Sequence, residues 1–396
     1  MKAVWAAALV LVLALAGCVA PQPPPPTPLQ AGPAAMRLTP VGFDALPGWA
    51  DDHHAAALAA FRASCAHMAA PLGGSGAAAE LGGSPAAWQP ACTAARGVAN
   101  DDMAARAFFE SMLQPYAIAQ GGDAQGLFTG YYEPEVHGAR MEGGAYQTGV
   151  LAKPSDIVSV DLGAFSDDLK GKHVSGRIQD HALVPYYTRA EIMAGAIRSQ
   201  RLEFLWLDNP IDGFFLEIQG SGRVALPDGR VLRVTYAGQN GRPYVAIGRV
   251  LIDRGEIARE QVSLQSIRAW LMAHPDQAQA VMNQNPSFVF FRELTGTNPD
   301  EGPPGAMGAQ LTPGRSLAVD RAFLPLGAPV FIDTTDPLDG TPWRHLAVAQ
   351  DVGGAIKGAV RADIFFGWGT DAEARAGKMR GKGRAFVLLP RQDTAH

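Results

Sequence analysis

Two aspartates near the C-terminus, Asp351 and Asp363, lie twelve positions apart with several glycines and Lys357 between them, and Asp363 is followed at once by the apolar run IFFGW. An ordinary aspartate is protonated in only roughly one molecule per thousand at neutral pH, but burial among apolar side chains raises its pKa. Because strand residues alternate in direction, we expect Asp363 to share a face with Phe365, and Ile364 and Phe366 to point into a core. These features make Asp363 a candidate proton donor.

Composition alone leaves other interpretations open. A strand-end aspartate that accepts hydrogen bonds from turn amides is the structural alternative for Asp363. The nine histidines show no HExxH spacing, no CxxC occurs, and the adjacent His53 and His54 are expected to be solvated, so no metal site is predicted. GGAIKG fails as a phosphate loop, and no GxSxG occurs, although IQGSGR holds an exposed-looking Ser221. Acid chemistry is what remains.

The whole chain has the size and composition of a globular protein with about two to three domains. Its 396 residues carry a formal net charge of −5, and Lys and Arg form no run. A nucleic-acid partner is therefore not expected, and no cofactor is predicted.

The N-terminus has the pattern of an export signal. Lys2 precedes an uncharged apolar run from Val4 to Ala16, which is too short to span a bilayer. The run ends in Leu-Ala-Gly-Cys, which resembles a bacterial lipobox, so residues 1–18 are expected to be a lipoprotein signal with Cys18 as the lipid attachment site. By resemblance to lipoprotein sorting rules, Val19 favours the outer membrane of a Gram-negative envelope, with the protein facing the periplasm.

A proline-rich segment follows, and two further cysteines lie beyond it. Residues 19–37 are predicted to form a semi-rigid tether because prolines favour an extended chain without a core. Cys65 and Cys92 are an even pair in an oxidising compartment, so we predict a disulfide, with two buried thiols as the alternative.

The remaining chain divides into a helical part and two mostly β parts. DDHHAAALAAFRASC and NDDMAARAFFESML are predicted helices, and GGSGAAAELGGSP between them is predicted to be a loop. Short apolar runs then alternate with turns, as in DGFFLEIQGSGRVALPDGRVLRVTYAG, where Asp228-Gly229 predicts a hairpin. Helices are predicted at YYTRAEIMAGAIRS, where Thr188 and Glu191 have capping-box spacing, and from Ser263. Five strands are predicted near the C-terminus: SLAVD, PVFIDTT, HLAVAQD, ADIFFGW and RAFVLLP.

Several long motifs give the sequence a specific resemblance. The stretches LAVDRAFLPLG, AQDVGGAIKG and RADIFFGWG resemble the 3D module, named for three aspartates, of the membrane-bound lytic murein transglycosylase A family. Upstream, FTGYYEPEV, YYTRAEI, DGFFLEIQGSGRV and GAMGAQLTPGRSLAVD extend the resemblance to about Gly126–Pro390. It implies a mainly β fold with an α-helical N-terminal part: a double-psi β-barrel that carries an inserted second β domain, with a groove between them. The expected segments are 38–135 for the helical N-terminal part of the barrel domain, 136–262 for the insert and 263–390 for the rest of the barrel domain.

The resemblance also implies a reaction. Members of this family cleave the β-1,4 bond between N-acetylmuramic acid and N-acetylglucosamine in peptidoglycan without water and leave a 1,6-anhydromuramic end. It implies Asp363 as the single essential acid, with Asp351 lining the same site. One carboxyl suffices because the C6 hydroxyl of the sugar replaces water, whereas a hydrolase of the usual kind needs two. An inverting muramidase with Asp351 as base and a non-catalytic glycan-binding lipoprotein are the alternatives.

Side chains that would contact the glycan are expected in the upstream motifs. Polar and aromatic groups cluster beside glycines there, so the predicted substrate-binding residues are Thr129, Tyr131, Tyr132, Gln219, Gly220 and Ser221. Tyr132 is equally well interpreted as a core residue. A cation beside Asp363 would lower its pKa and oppose its acid function, so Lys357 is assigned to substrate or loop contact, and Asp320 is expected to be structural.

Overall fold

The computed structural model describes residues 35–169, 172–296, 298 and 301–391. The predicted signal at residues 1–18, its lipid attachment site Cys18 and the tether up to residue 34 therefore lie outside the described residues. Within them, no helix is both long enough and apolar enough to cross a bilayer.

The N-terminal part contains strands as well as helices. Asp101 caps the helix that begins at Asp102 by accepting a hydrogen bond from the Ala104 amide, as expected for its position. The loop prediction for GGSGAAAELGGSP was wrong, because helices form there as well, and Ser84 caps the one that begins at Pro85. The elements are β1 (Met36–Pro40), α1 (His54–Cys65), α2 (Ala77–Gly82), α3 (Pro85–Ala95), α4 (Asp102–Met112), β2 (Leu113–Gln120) and β3 (Gly126–Glu133). Since β1 pairs with β2 from Met36 onward, the tether ends before Met36 and not at residue 37.

The middle of the chain is a second domain of mixed composition. Its elements are β4 (Glu135–Ala139), β5 (Thr148–Leu151), β6 (Val158–Asp161), β7 (His173–Gln179), β8 (Ala182–Pro185), α5 (Arg189–Met193), β9 (Glu203–Leu207), α6 (Pro210–Gln219), β10 (Ser221–Ala225), β11 (Val231–Gln239), α7 (Ile247–Asp253), α8 (Leu264–Ala273), α9 (Pro275–Met282) and β12 (Val289–Glu293). The β10–β11 hairpin, the capping box of α5 and the Ser263 cap of α8 confirm the predictions.

Two features of this domain differ from the sequence expectation. DGFFLEIQ belongs to the helix α6 and not to a strand, because Asn209 caps it, Pro210 occupies its first turn and Gly220 ends it in a left-handed conformation. The sheet has the order β12-β11-β10-β4-β9-β5 and therefore includes β12. The insert thus continues to Glu293 rather than ending at Val262.

The C-terminal part returns to the barrel and supplies most of its strands. The elements are β13 (Ser316–Val319), β14 (Pro329–Thr335), β15 (Pro342–Val352), β16 (Arg361–Trp368), α10 (Gly369–Lys378) and β17 (Arg380–Pro390). All five predicted strands are confirmed. Among the described residues, six strands close into a barrel in the order β17-β14-β15-β13-β16-β3, with β3 pairing back to β17. β2 and β1 extend the sheet from β17.

The helices α1 to α4 pack on the barrel and share one apolar core with it. Phe61, Trp88 and Phe109 from these helices are fully buried in the same cluster as Phe331 of the barrel. A disulfide joins Cys65 at the end of α1 to Cys92 in α3, as the even pair of cysteines predicts.

A buried carboxylate anchors this helical layer to the barrel. Asp52, just before α1, accepts two hydrogen bonds of 2.9 Å from the Arg315 guanidinium. It also accepts from the His345 ring at 2.8 Å and from the Leu346 amide at 2.7 Å. Burial by itself raises the pKa of Asp52, but the hydrogen bonds from His345 and Arg315 and the charge of Arg315 hold that pKa far below its usual range.

Candidate active site

Two parallel strands, β3 and β16, bring the predicted acid beside the first upstream motif. Asp363 is paired with Thr129 and Phe365 with Tyr131. Because side chains alternate along a strand, Arg361, Asp363 and Phe365 share one face. The prediction for the opposite face was partly wrong: Ile364 is fully buried as expected, but Phe366 is only half-buried, and Phe365 on the Asp363 face is fully buried as well. A shift in the strand register after Phe365 disturbs the alternation at Phe366, and the Tyr131 ring, whose centre is 5.2 Å from that of the Phe365 ring, helps to bury Phe365.

Asp363 is half-buried and has few partners for its charge. The Thr129 hydroxyl donates to Asp363 Oδ1 at 2.7 Å, and Arg361 Nη2 donates to the same Thr129 oxygen at 2.8 Å. Burial raises the pKa of Asp363 to about 6. The Thr129 hydrogen bond and the Arg361 charge lower this pKa, and the nearby Asp351 carboxylate raises it. This environment suits a group that must both give and take a proton near neutral pH.

Asp351, the second-to-last residue of β15, accepts three hydrogen bonds from other groups of the protein. Its Oδ2 accepts from the Tyr131 hydroxyl at 2.9 Å, and its Oδ1 accepts from the amides of Ala306 at 2.8 Å and Val352 at 2.9 Å. Burial raises the pKa of Asp351, and these hydrogen bonds oppose the rise. Burial, followed by the Asp351 charge, raises the pKa of Tyr131 well above its usual value, so the phenol stays a donor.

The glycine-rich loop after Asp351 is fixed by the first of the three aspartates. Asp320 is buried and accepts from the amides of Gly358 at 2.9 Å and Ala322 at 3.1 Å. Both bonds go to backbone amides, and the structural role of Asp320 stays a prediction. Lys357 lies exposed on the loop, and the cation that acts on Asp363 is Arg361 instead.

The predicted sugar contacts of the insert lie at the junction between α6 and β10. Gln219 Oε1 accepts from the Tyr132 amide at 3.2 Å, which ties the insert to β3 of the barrel. Gly220 has a φ of 77° and open space where a side chain would be. Ser221, expected to be exposed, is only 5% exposed. The side chain of Tyr132 is also buried, against Ala372 and Ala376 of α10, so its interpretation as a core residue is the one that the structure supports.

A second buried ion cluster joins the two domains beside this junction. Glu133, at the end of β3, is fully buried and pairs with Arg223 and Arg233 of the insert, each at 3.0 Å. The Arg223 guanidinium also lies 4.1 Å from the centre of the Trp368 ring. These contacts fix the orientation of β10 and β11 relative to the barrel strands that carry the acid.

Three features of the site were not predicted from the sequence: Arg361, the Ala306 amide and the ion cluster around Glu133. The strand period could have found Arg361, which lies two residues before Asp363 and therefore on its face. The partners of Glu133 are 90 and 100 residues away in the chain, so no local pattern marks them. Among the described residues, no group of histidine, cysteine, aspartate and glutamate could hold a metal ion.

The chain is similar to known proteins over much of its length. Family models of the MltA-specific insert domain and of the 3D domain match residues 127–292 and 315–389. A Vibrio cholerae protein named membrane-bound lytic murein transglycosylase A is 34% identical over 282 residues, which cover 68% of this chain and 67% of the relative.

Solved structures extend the similarity to most of the chain. The Agrobacterium tumefaciens membrane-bound lytic murein transglycosylase has a TM-score of 0.79 and 34% identity, with 89% of this chain and 98% of that chain covered. Escherichia coli MltA with bound chitohexaose has a TM-score of 0.64 and 26% identity, with 91% and 95% covered.

Proposed function

The chain belongs to the membrane-bound lytic murein transglycosylase A family, and we propose that it cleaves peptidoglycan with Asp363 as its single general acid and base. It is an enzyme of the lyase type, because its curated relatives are lytic murein transglycosylases. Its substrate is the glycan strand of peptidoglycan, and we assign the β-1,4 bond between N-acetylmuramic acid and N-acetylglucosamine as the bond that breaks.

The observation that carries this assignment is the environment of Asp363. With a pKa of about 6, this carboxyl is protonated in roughly one molecule in ten at pH 7, compared with roughly one in a thousand for an ordinary aspartate. The protonated fraction rises because the carboxyl is buried and because, within the described part of the chain, Thr129 is the one side chain that donates directly to it. A group with this pKa can act in both proton-transfer steps.

The reaction needs two proton transfers and no water. Protonated Asp363 first gives its proton to the glycosidic oxygen, the bond from C1 of the muramic acid to that oxygen breaks, and positive charge develops at C1. The C6 hydroxyl oxygen of the same sugar then bonds to C1, and its proton passes to the Asp363 carboxylate. The enzyme returns to its starting form, and the sugar carries a 1,6-anhydro ring.

Asp351 is better placed to support this chemistry than to act as the base of a hydrolase. Both lone pairs of its Oδ1 are used by the amides of Ala306 and Val352, and Tyr131 donates to Oδ2. A base that activates water needs a free accepting site that faces that water, and the described donors leave Asp351 only one of its roughly four sites, on Oδ2. We therefore propose that Asp351 fixes Tyr131 and the backbone at Ala306, and that its charge supports the raised pKa of Asp363.

Digestion of purified sacculi in H₂¹⁸O separates the candidate functions. The lytic transglycosylase releases muropeptides with 1,6-anhydro ends and no ¹⁸O, whereas an inverting muramidase releases products heavier by one labelled water. A protein that binds sacculi but releases nothing is the non-catalytic binder. Asp363→Asn is the matched variant, because it keeps the shape of the side chain and removes its acid function.

Membrane attachment forms a separate part of the proposal. The apolar N-terminal run is followed by Cys18 in a lipobox-like Leu-Ala-Gly-Cys motif, and the relatives of this chain are named membrane-bound. We propose that Cys18 is acylated and that the enzyme is held at the outer membrane of a Gram-negative envelope, facing the periplasm. Cys18→Ala should abolish incorporation of labelled palmitate and move the protein from the membrane to the soluble fraction. Retention of label in Cys18→Ala would contradict this.

A further inference from the structure

Among the described residues, Arg361 is the cation whose charge acts on Asp363, yet its hydrogen bonds go to other groups. Its Nη1 donates to the Leu127 carbonyl at 3.2 Å and to the Ala362 carbonyl at 2.6 Å, and its Nη2 donates to Thr129 Oγ1 at 2.8 Å. The guanidinium is planar, so these acceptors fix its orientation. Arg361 therefore reaches Asp363 through the Thr129 hydroxyl.

This arrangement fixes the direction of the hydrogen bond between Thr129 and Asp363. A threonine hydroxyl has one proton to donate, and a guanidinium can donate but never accept. The Thr129 oxygen must therefore accept from Arg361, and its only proton points to Asp363 Oδ1, 2.7 Å away. Without Arg361, the hydroxyl could rotate and instead accept a proton from Asp363.

We propose that Arg361 is a positioning residue which, through Thr129, keeps Asp363 Oδ1 as an acceptor and so places the transferable proton on Oδ2. This inference rests on the proposed function of Asp363. If so, Asp363 Oδ2 donates the proton to the glycosidic oxygen and later accepts the proton of the C6 hydroxyl. A single oxygen that faces the substrate gives both steps the same geometry, so the carboxyl does not have to rotate between them.

The same arginine also acts through its charge. The groups that act on Asp363 are Arg361 on its own strand, Thr129 and Tyr131 on β3, and Asp351 on β15. Arg361 and Thr129 favour the carboxylate, and Asp351 favours the protonated acid. Orientation and charge can be separated, because lysine keeps the charge but not the planar fork of the guanidinium.

The test compares kcat, KM and the pH dependence of kcat/KM for soluble protein that begins at Ala35. Arg361→Met and Thr129→Val should each lower kcat by about 10- to 100-fold, the range for one hydrogen bond to a charged group, with KM changed less than about threefold. In both variants the pKa of Asp363 should rise, so the descending limb of the pH profile of kcat/KM should move to higher pH.

Two conservative variants provide the rescue. Arg361→Lys should return the descending limb to its parental pH but should leave kcat low, and Thr129→Ser should recover most of the kcat lost in Thr129→Val. Arg249→Met, an exposed arginine paired with Asp253, is the matched control.

A double-variant cycle gives the sharpest outcome. If Arg361 orients Thr129, Arg361→Met adds little further loss of kcat on the Thr129→Val background; fully multiplicative losses overturn the proposal. Unchanged kcat and an unmoved pH limb in Arg361→Met also overturn it. If Arg361→Met does not fold, Arg361→Lys carries the test, because parental kcat in that variant contradicts an orienting role. A parent protein without lytic activity would instead refute the proposed function itself.

Discussion

Asp52 and Asp363 are both aspartates with buried surroundings beside the same barrel, but their partners differ. The Asp52 carboxylate accepts hydrogen bonds from Nη1 and Nη2 of Arg315, from the His345 ring and from the Leu346 amide. Among the described residues, the Asp363 carboxyl accepts one side-chain hydrogen bond, from the Thr129 hydroxyl. Arg361 donates to that hydroxyl and not to the carboxyl itself. Burial pushes the pKa of both upward, and only the partners of Asp52 reverse the effect. The number of direct donors thus separates a structural carboxylate from one that can carry a proton.

The largest expected effect is on activity at Asp363. Asp363→Asn should lower the release of anhydro-muropeptides by about a thousandfold or more, because general acid–base catalysis contributes about 10²- to 10⁴-fold and this one group serves both steps. Muropeptide chromatography at fixed enzyme concentration measures it. Release at the parental rate would show that another residue is the acid.

The counterpart substitution, Asp52→Asn, should affect stability instead. It leaves the buried Arg315 without its carboxylate, which we expect to cost about 3–5 kcal/mol in the free energy of unfolding. Chemical denaturation measures this, and kcat of the folded protein should stay at the parental value. Asp52 has a lowered pKa, so its contribution is present above the usual aspartate pKa and is lost as pH falls below about 4. A variant as stable as the parent at pH 7 would contradict this role.

The disulfide stabilises the same helical layer that Asp52 anchors to the barrel. Cys65 and Cys92 are 27 positions apart and join α1, which follows Asp52, to α3. Replacing both with serine should lower the free energy of unfolding by about 3 kcal/mol, chiefly because the unfolded chain gains freedom. Thermal unfolding of the parent with and without reductant provides the control. A loss of kcat without a loss of stability would link this helical layer to catalysis and weaken the contrast.

The smallest expected effect is an increase in the free energy of unfolding when the catalytic acid is replaced in Asp363→Asn. A carboxyl whose pKa rises to about 6 on folding binds a proton more tightly in the folded state, so its contribution to stability falls as pH increases from about 4 to above 6. Asp363→Asn should therefore stabilise the protein above pH 6, by on the order of 2 kcal/mol after allowance for its partial exposure, and by nothing below pH 4. Equal melting temperatures of variant and parent at pH 8 would contradict the raised pKa.

Local signals predicted much of the fold. The five C-terminal strands carry apolar runs between glycines and prolines, and Thr188 with Glu191 marks the start of α5, so neighbouring residues contain the information. α6 was missed because DGFFLEIQ is apolar on several sides and its cap, Asn209, lies before the motif. The boundary at Val262 was misplaced because β12 joins the insert through pairing with β11, about fifty residues earlier in the chain.

The sequence indicated which types of residue form the site but not which of them are in contact. The apolar run after Asp363 indicated a raised pKa, and the structure agrees in direction. Which groups touch the acid depends on pairing between β3 and β16, and the Thr129 and Asp363 side chains are 234 positions apart. No local pattern could show that Tyr131 binds Asp351, that Tyr132 is core or that Arg361 supplies the nearby charge.

The most direct measurement of the contrast is a titration of the two carboxyls by NMR. Aspartates labelled with ¹³C at Cγ would be followed from pH 3 to 8, with the signals assigned through Asp363→Asn and Asp52→Asn. We expect a midpoint of about 6 for Asp363 and no titration of Asp52 down to pH 3 in the folded protein. A midpoint for Asp363 at or below about 4, the value of an ordinary aspartate, would contradict this expectation.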